Sequence, residues 1–159
     1  MLTLSDIASF LTTQDVTWEE ANATTLVAEL RGTNKHNIIV AISIGERTFR
    51  TESFVARKPD ENGEGVYRWL LEQNSKLRSL AYFVDHFGDV YIAGSLPNEV
   101  MNIELFDQIL GGIMAAVDAS FNPILELGFK SAIEREWSWR TSNGLSTENL
   151  EAFKHLFQN

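Results

Sequence analysis

"NIIVAISIGERTFRTESFVA", residues 37 to 56, holds two runs rich in β-branched and aromatic residues, separated by Ile44-Gly45-Glu46-Arg47. Runs of this composition bounded by turn residues read as strands. A connection of four residues makes them antiparallel neighbours, because a parallel crossover needs about a dozen or more. In the first run Ile38, Val40, Ile42 and Ile44 share one side while Ile39 and Ala41 occupy the other, the pattern of a central strand apolar on both faces. Upstream, "TLVAELR" (25 to 31) alternates Leu26, Ala28 and Leu30 with Val27, Glu29 and Arg31, and "GTNKHN" joins it to the central run. Val16 to Ala21 extends or precedes that first strand.

Outside this meander the period changes. A helix from about Leu4 to Leu11, with Ser5 as its cap, carries Ile7, Phe10 and Leu11 on one stripe. "RKPDENGEG" (57 to 65) is a turn, since Pro59 stops the ladder and Asn62-Gly63 bends the chain. A helix over 64 to 74 follows, with Val66, Tyr67, Leu70 and Leu71 at helical spacing and Trp69 beside them. "SLAYFVD" and "DVYIAGS" form a hairpin around His86-Phe87-Gly88. Pro97 ends it, and Asn98 or Asn102 caps a helix from Ile103 to Ala119 with Phe106, Leu110, Ile113 and Val117 on its stripe. Gly111-Gly112 inside that helix costs about 1 kcal/mol per glycine relative to alanine, which predicts a closely packed neighbour. Asn122-Pro123 punctuates the chain, "KSAIEREW" is a helix or turn, and a last helix over 147 to 157 presents Leu150, Phe153 and Phe157.

The predicted order is α-β-β-β-α-β-β-α with a helical C-terminal extension from about 141 to 159. This is an α+β fold: a five-stranded antiparallel sheet with helices packed against it. The 159 residues suit one domain, 1 to 159, with no internal repeat and no linker.

Composition narrows the chemistry. A formal net charge of -9 opposes nucleic-acid binding, which needs clustered Lys and Arg to neutralise phosphates. The absence of cysteine removes disulfides and thiolate chemistry and fits a reducing compartment. "MLTLSDIASFL" has no basic leader, and no apolar run approaches the roughly 20 residues of a membrane span, so a cytoplasmic protein without membrane contact is expected.

No catalytic, cofactor or metal residues are assigned. His36, His86 and His155 lack metal-ligand spacing, and no serine sits in a nucleophile elbow. Gly63-x-Gly65 precedes a helix as a phosphate loop would, but Glu64 repels anions and Arg68 stands where a further glycine belongs. Glu134 and Glu136 diverge by about 200 degrees on a helix, and Glu136 and Arg140 then make a favourable pair four residues apart. Trp137 reads as a core edge. Trp139 and Arg140, with Trp69 and Arg57, are the residues expected to touch a partner.

"FVARKPDENGEGVYRWLLEQNSKL", "AYFVDHFGDVYIAGSLP" and "FNPILELGFKSAIEREWSWR" together resemble the YbjN domain family, particularly its actinobacterial branch. The carrying motifs are Arg57-Lys58-Pro59-x-x-Asn62, Tyr67-Arg68-x-Leu70-Leu71, Gly88-Asp89-x-Tyr91 and Glu136-Trp137-x-Trp139-Arg140. The resemblance implies a sensory-transduction or stress-related regulator with no assigned reaction, and a fold similar to type III secretion chaperones, small acidic proteins that dimerise and bind polypeptides. The expected function is therefore a non-enzymatic homodimer that binds a protein partner. The alternative is a small-ligand binder or enzyme with a pocket near Trp137, Glu134 and the 57 to 62 turn.

Overall fold

A computed structural model of the chain describes residues 1 to 158. Helix α1 (Leu4–Thr13) starts one residue before the expected cap. Thr3, not Ser5, holds that place: its hydroxyl accepts from the Asp6 N–H at 3.2 Å while the Asp6 carboxylate accepts from the Thr3 N–H at 2.9 Å. This reciprocal box satisfies two amides that would otherwise lack helical partners.

Six strands follow the order β1-β2-β3-β4-β6-β5, every neighbouring pair antiparallel. They are β1 (Thr17–Asn22), β2 (Thr25–Leu30), β3 (Ile38–Ile44), β4 (Thr48–Ala56), β5 (Ala81–Val84) and β6 (Val90–Pro97). The expected five-stranded sheet thus gains a strand. "TWEEAN" pairs with β2 in register Glu20 to Leu26, at an edge where five of its six side chains are exposed. Without a buried face it has no alternation to read. β3 lies between β2 and β4, as expected of a central strand, but only its Ile38, Val40 and Ile42 side is buried; Ile39 on the other side is 42% exposed.

One face of the sheet is buried. Leu26, Ala28, Ile38, Val40, Ile42, Phe49, Val55, Val90 and Ile92 line it, covered by α1, α2 (Gly63–Asn74) and α3 (Ile103–Gly128). Asn102 caps α3, its side-chain oxygen accepting from the Leu105 N–H at 2.8 Å. Phe106 is fully buried and meets Phe10 of α1 and Phe49 of β4 edge-on, with ring centroids 5.7 and 6.0 Å apart. That geometry places the positive ring edge against the negative face.

α3 does not stop at Ala119. It runs 26 residues, through Pro123 to Gly128. Proline removes one backbone bond and crowds the carbonyl of Ala119, but the buried stripe continues through Ser120, Ile124 and Gly128. Burial on both sides of the defect holds the helix together. By length and composition alone α3 is long and apolar enough to cross a membrane. Here its stripe covers the sheet, as the core helix of a globular protein does.

Of the glycine pair, Gly112 has the expected close neighbour. A Cβ there would lie 3.2 Å from Leu80, and one on Gly94 of β6 would lie 2.9 Å from the same side chain, so Leu80 fills a slot between helix and sheet. Gly111 has no neighbour within 4 Å. The β2–β3 connection docks on α3 through Asp118, whose carboxylate accepts from the N–H groups of Asn34 at 2.7 Å and Lys35 at 3.0 Å.

"KSAIEREWSWRTS" forms α4 (Lys130–Ser142). The last segment is a 3-10 helix (Glu148–Leu156) in place of the expected α-helix. Ile133, Leu150 and Phe153 form a second, smaller apolar cluster with Trp137, Leu156 and Phe157 around them.

Replacing Phe106 by alanine removes the contact shared by α1, α3 and β4. Phe106→Ala is expected to lower the unfolding free energy by about 3–5 kcal/mol, read as a shift of the urea midpoint at unchanged slope.

Candidate protein-binding surfaces

The turn at 57 to 62 ties three elements together. Arg57 pairs in a fork with the Asp60 carboxylate at 2.6 and 3.0 Å, and its guanidinium lies 4.5 Å from the centre of the Phe129 ring. Asp60 is held below the usual carboxylate range by that bond, and Arg57 is raised in turn. Lys58 N–H donates to Asp89 in the β5–β6 connection at 2.7 Å. The N–H groups of Asp60 and Glu61 donate to the Gly128 carbonyl at 3.0 and 3.2 Å, satisfying the C-terminal end of α3. Gly128 has no room for a side chain, since a Cβ would sit 2.9 Å from Pro59.

Glu61 then caps α4. Its carboxylate accepts from the Ser131 N–H at 2.6 Å and the Ser131 hydroxyl at 2.9 Å, and these bonds hold its carboxyl below the usual range, the backbone bond first. Asn62 has φ 49 and donates from its side chain to the Leu127 carbonyl at 3.3 Å. A Cβ on Gly65 would lie 2.5 Å from that Asn62 amide. Gly65 is therefore room for a folded-back asparagine, while a Cβ on Gly63 would meet only the Tyr67 ring, at 3.6 Å.

On α4 the two carboxylates of the 134–136 pair point to solvent. Glu134 approaches Lys130 at 4.0 Å with its side chain 46% exposed, and Glu136 accepts from Arg140 at 2.6 Å. Arg140 also donates to the Ser146 carbonyl at 3.0 Å, which holds the loop after α4. Trp137 is stacked on Phe157, centroids 4.4 Å apart, so the space imagined beside it for a ligand is occupied by the chain itself. Neither carboxylate is desolvated as an acid–base pair requires.

The four residues expected to touch a partner lie apart. Arg57 sits at the start of α4 through Phe129, while Trp139 and Arg140 are about ten residues along that helix, roughly 15 Å away by its rise. Trp139 is 55% exposed. Trp69 is half-buried on α2, against the main core.

A different patch stands out on α2 and β5. Val66 and Leu70 are buried, but Leu71, grouped with them by spacing, points outward and is 69% exposed. Val66 and Leu70 are four apart and already fill the inner stripe; Leu71 turns about 100 degrees further. It forms part of the wall of an apolar groove of about 230 Å³ lined also by Tyr67, Leu70, Asn74, Tyr82, Phe83 and Val84. Asn74 closes the outer edge of β5: its side-chain oxygen accepts from the Tyr82 N–H at 2.7 Å and its amide donates to the Tyr82 carbonyl at 3.2 Å. An amide in that position stands in for a neighbouring strand at Tyr82.

The histidines stay separate. His86 packs on Phe87 at 3.8 Å within a turn where Asp85 accepts from the N–H groups of Phe87 and Asp89, and His155 contacts Glu126 at 2.8 Å. Among the described residues no group of three or more His, Asp or Glu could hold a metal ion.

The profile of the YbjN family, described as "Putative bacterial sensory transduction regulator", matches residues 3–126, and the chain belongs to that family. An uncharacterized protein of Mycobacterium tuberculosis is 47% identical over 131 residues, covering 82% of this chain and 72% of the relative. One of Mycobacterium leprae is 43% identical over 149 residues, 94% of this chain and 81% of that protein. Three solved structures share the fold. YbjN from E. coli, described as a putative transcription regulator, aligns with a TM-score of 0.55 at 12% identity over 75% of this chain and 91% of its own. A chain of the heterodimeric ExoU–SpcU complex of the Pseudomonas aeruginosa type III secretion system gives 0.54 at 17%, over 76% and 98%. A chain of the ExsC–ExsE complex gives 0.55 at 18%, over 76% and 95%. The expected likeness to type III secretion chaperones holds at the level of fold.

The clamp carries a pH signature. Glu61 is depressed in the folded chain, so its contribution is present above the unfolded carboxylate pKa of about 4.3 and is lost as pH falls through the lower folded value. Glu61→Gln is expected to melt below the wild type at neutral pH, with the gap narrowing as pH falls into the acid range, measured by thermal melts across pH.

Proposed function

We propose that this YbjN-family chain works in the cytoplasm as a non-enzymatic regulatory module, a homodimer that binds another polypeptide, and that the α2–β5 patch is where its two copies meet. Leu71 carries the reading. A leucine exposed at the wall of an apolar groove gives one patch both a knob and a hole, which is what a twofold interface needs, because each copy presents the same surface.

The charges on α2 agree with this arrangement. Glu64, Arg68 and Glu72 follow one another at single-turn spacing around Leu71. Two antiparallel copies of α2 related by an axis midway between positions 68 and 72 set each Arg68 opposite the other copy's Glu72. A stable interface covers roughly 800 Å² per partner, more than one leucine supplies, and Val84 and Phe87 are exposed apolar side chains on the neighbouring hairpin. Asn74 opposes strand addition at Tyr82, whose N–H and carbonyl it already engages, so side-chain packing is the contact proposed.

Binding of a polypeptide is supported by the fold: two of the structural neighbours are complexes with a protein partner. Trp139 and Arg140 head the proposed contacts, with Arg57 and Trp69 completing the set. The chain acts as one unit over 1 to 159, with the segment after α4 as an appendage.

Size exclusion with light scattering at tens of micromolar tests the dimer. Wild type is expected at twice the chain mass, Leu71→Arg at the monomer mass with unchanged far-UV circular dichroism, and Trp139→Ala still dimeric. A monomeric wild type at that concentration defeats the proposal.

A further inference from the structure

The C-terminal 3-10 helix lies in an apolar trough made by Leu125, Ile133 and Trp137. It is an unusual occupant. Runs of 3-10 geometry longer than three or four residues are uncommon, because the hydrogen bonds are poorly aligned and side chains three apart eclipse. This one spans nine residues, Glu148–Leu156.

The eclipsing explains what the segment gains. With three residues per turn, Leu150, Phe153 and Leu156 form a single ridge; Leu150 and Phe153 are buried, Leu156 is half-buried, and Phe157 closes over the Trp137 indole. In an α-helix the ridge would instead be Leu150, Phe153 and Phe157. One sequence therefore offers two apolar ridges, and the docked segment presents the 3-10 one.

Little else fastens it. Beyond the small cluster, which meets the main core only through Leu125, the ties to the body are surface contacts: Arg140 to the Ser146 carbonyl at 3.0 Å and His155 to Glu126 at 2.8 Å. The connection turns at Gly144, φ 67, and leaves Leu145 exposed. Most of the contact, α4 and the segment, lies beyond residue 126, where the family match ends; Leu125 of α3 is the part of the trough inside it.

We infer that the Leu125–Ile133–Trp137 trough is a docking site for an amphipathic peptide carrying a leucine and two aromatic residues at helical spacing, and that residues 148–157 occupy it in cis as a competitor. This rests on the polypeptide-binding half of the function proposed above and is independent of the dimer. A partner bearing such a segment must displace the chain's own copy, and a tethered competitor acts at an effective concentration in the millimolar range. Regulation is built in: whatever loosens the cis segment opens the site.

The test uses the full-length chain. A fluorescent peptide with the sequence of residues 147–158 is titrated into wild type, Phe153→Asp, and Phe153→Asp with Trp137→Ala, read by anisotropy. Phe153→Asp is expected to bind at least tenfold more tightly than wild type, and the double variant to lose that binding. Equal binding by wild type and Phe153→Asp, or none by either, overturns the inference. Unfolding of Phe153→Asp also overturns it, because a detachable segment cannot hold up the main core. Hydrogen exchange on wild type adds a check without mutation: amides of 148–157 should exchange far faster than those of α3, and equal protection contradicts the proposal. Leu71 lies outside this experiment, so its outcome and that of the dimer test are read separately.

Discussion

Everything in this molecule depends on covering one face of a six-stranded sheet with three helices, of which the longest, α3, lies over β4 and β6. Phe106 is where that constraint is concentrated, since α1, α3 and β4 meet at its ring. Once α3 lies across the sheet, the lengths of its neighbours are set. It must run far enough to bury Ile124 and Gly128, and so it passes through Pro123. Its C-terminal end then needs partners for its carbonyls, and the 57 to 62 turn supplies them through the Asp60 and Glu61 amides.

That turn gives the family motif a physical meaning. Each conspicuous residue of "RKPDEN" has a task inside the chain: Arg57 spans Asp60 and Phe129, Pro59 fills the space left by Gly128, Glu61 starts α4, and Asn62 turns left-handed to reach Leu127. A cluster of charged residues that might pass for a reaction centre is thus a joint between helices. The same holds for "EREWSWR", where Glu136 and Arg140 fix the exit from α4 and Trp137 stacks on Phe157.

How much of this was legible depended on burial. Strand β2 announces itself because alternating burial leaves alternating residues, β3 and β4 do so by β-branched and aromatic runs bounded by turn residues, and the antiparallel order follows from short connections. β1 does not, because an exposed edge such as Glu19 and Glu20 places no demand on residue type. Pro123 misleads for the opposite reason: local propensity favours a break, and burial on both sides outweighs it. The 3-10 tail shares its apolar spacing with an α-helix, so spacing cannot separate them. At the candidate sites, exposed Trp139 could be anticipated from its place opposite the buried side of α4. Leu71 could not, because spacing alone groups it with Leu70, and only the packed helix shows which of the two faces the core.

Leu71 is the point where the proposed dimer would bring two copies together. The chain has no cysteine, so a single Leu71→Cys substitution gives a clean probe. Under mild oxidation the account predicts rapid, near-complete formation of a disulfide-linked pair, while Trp139→Cys stays largely unlinked. Linking of Leu71→Cys no faster than of Trp139→Cys would contradict it.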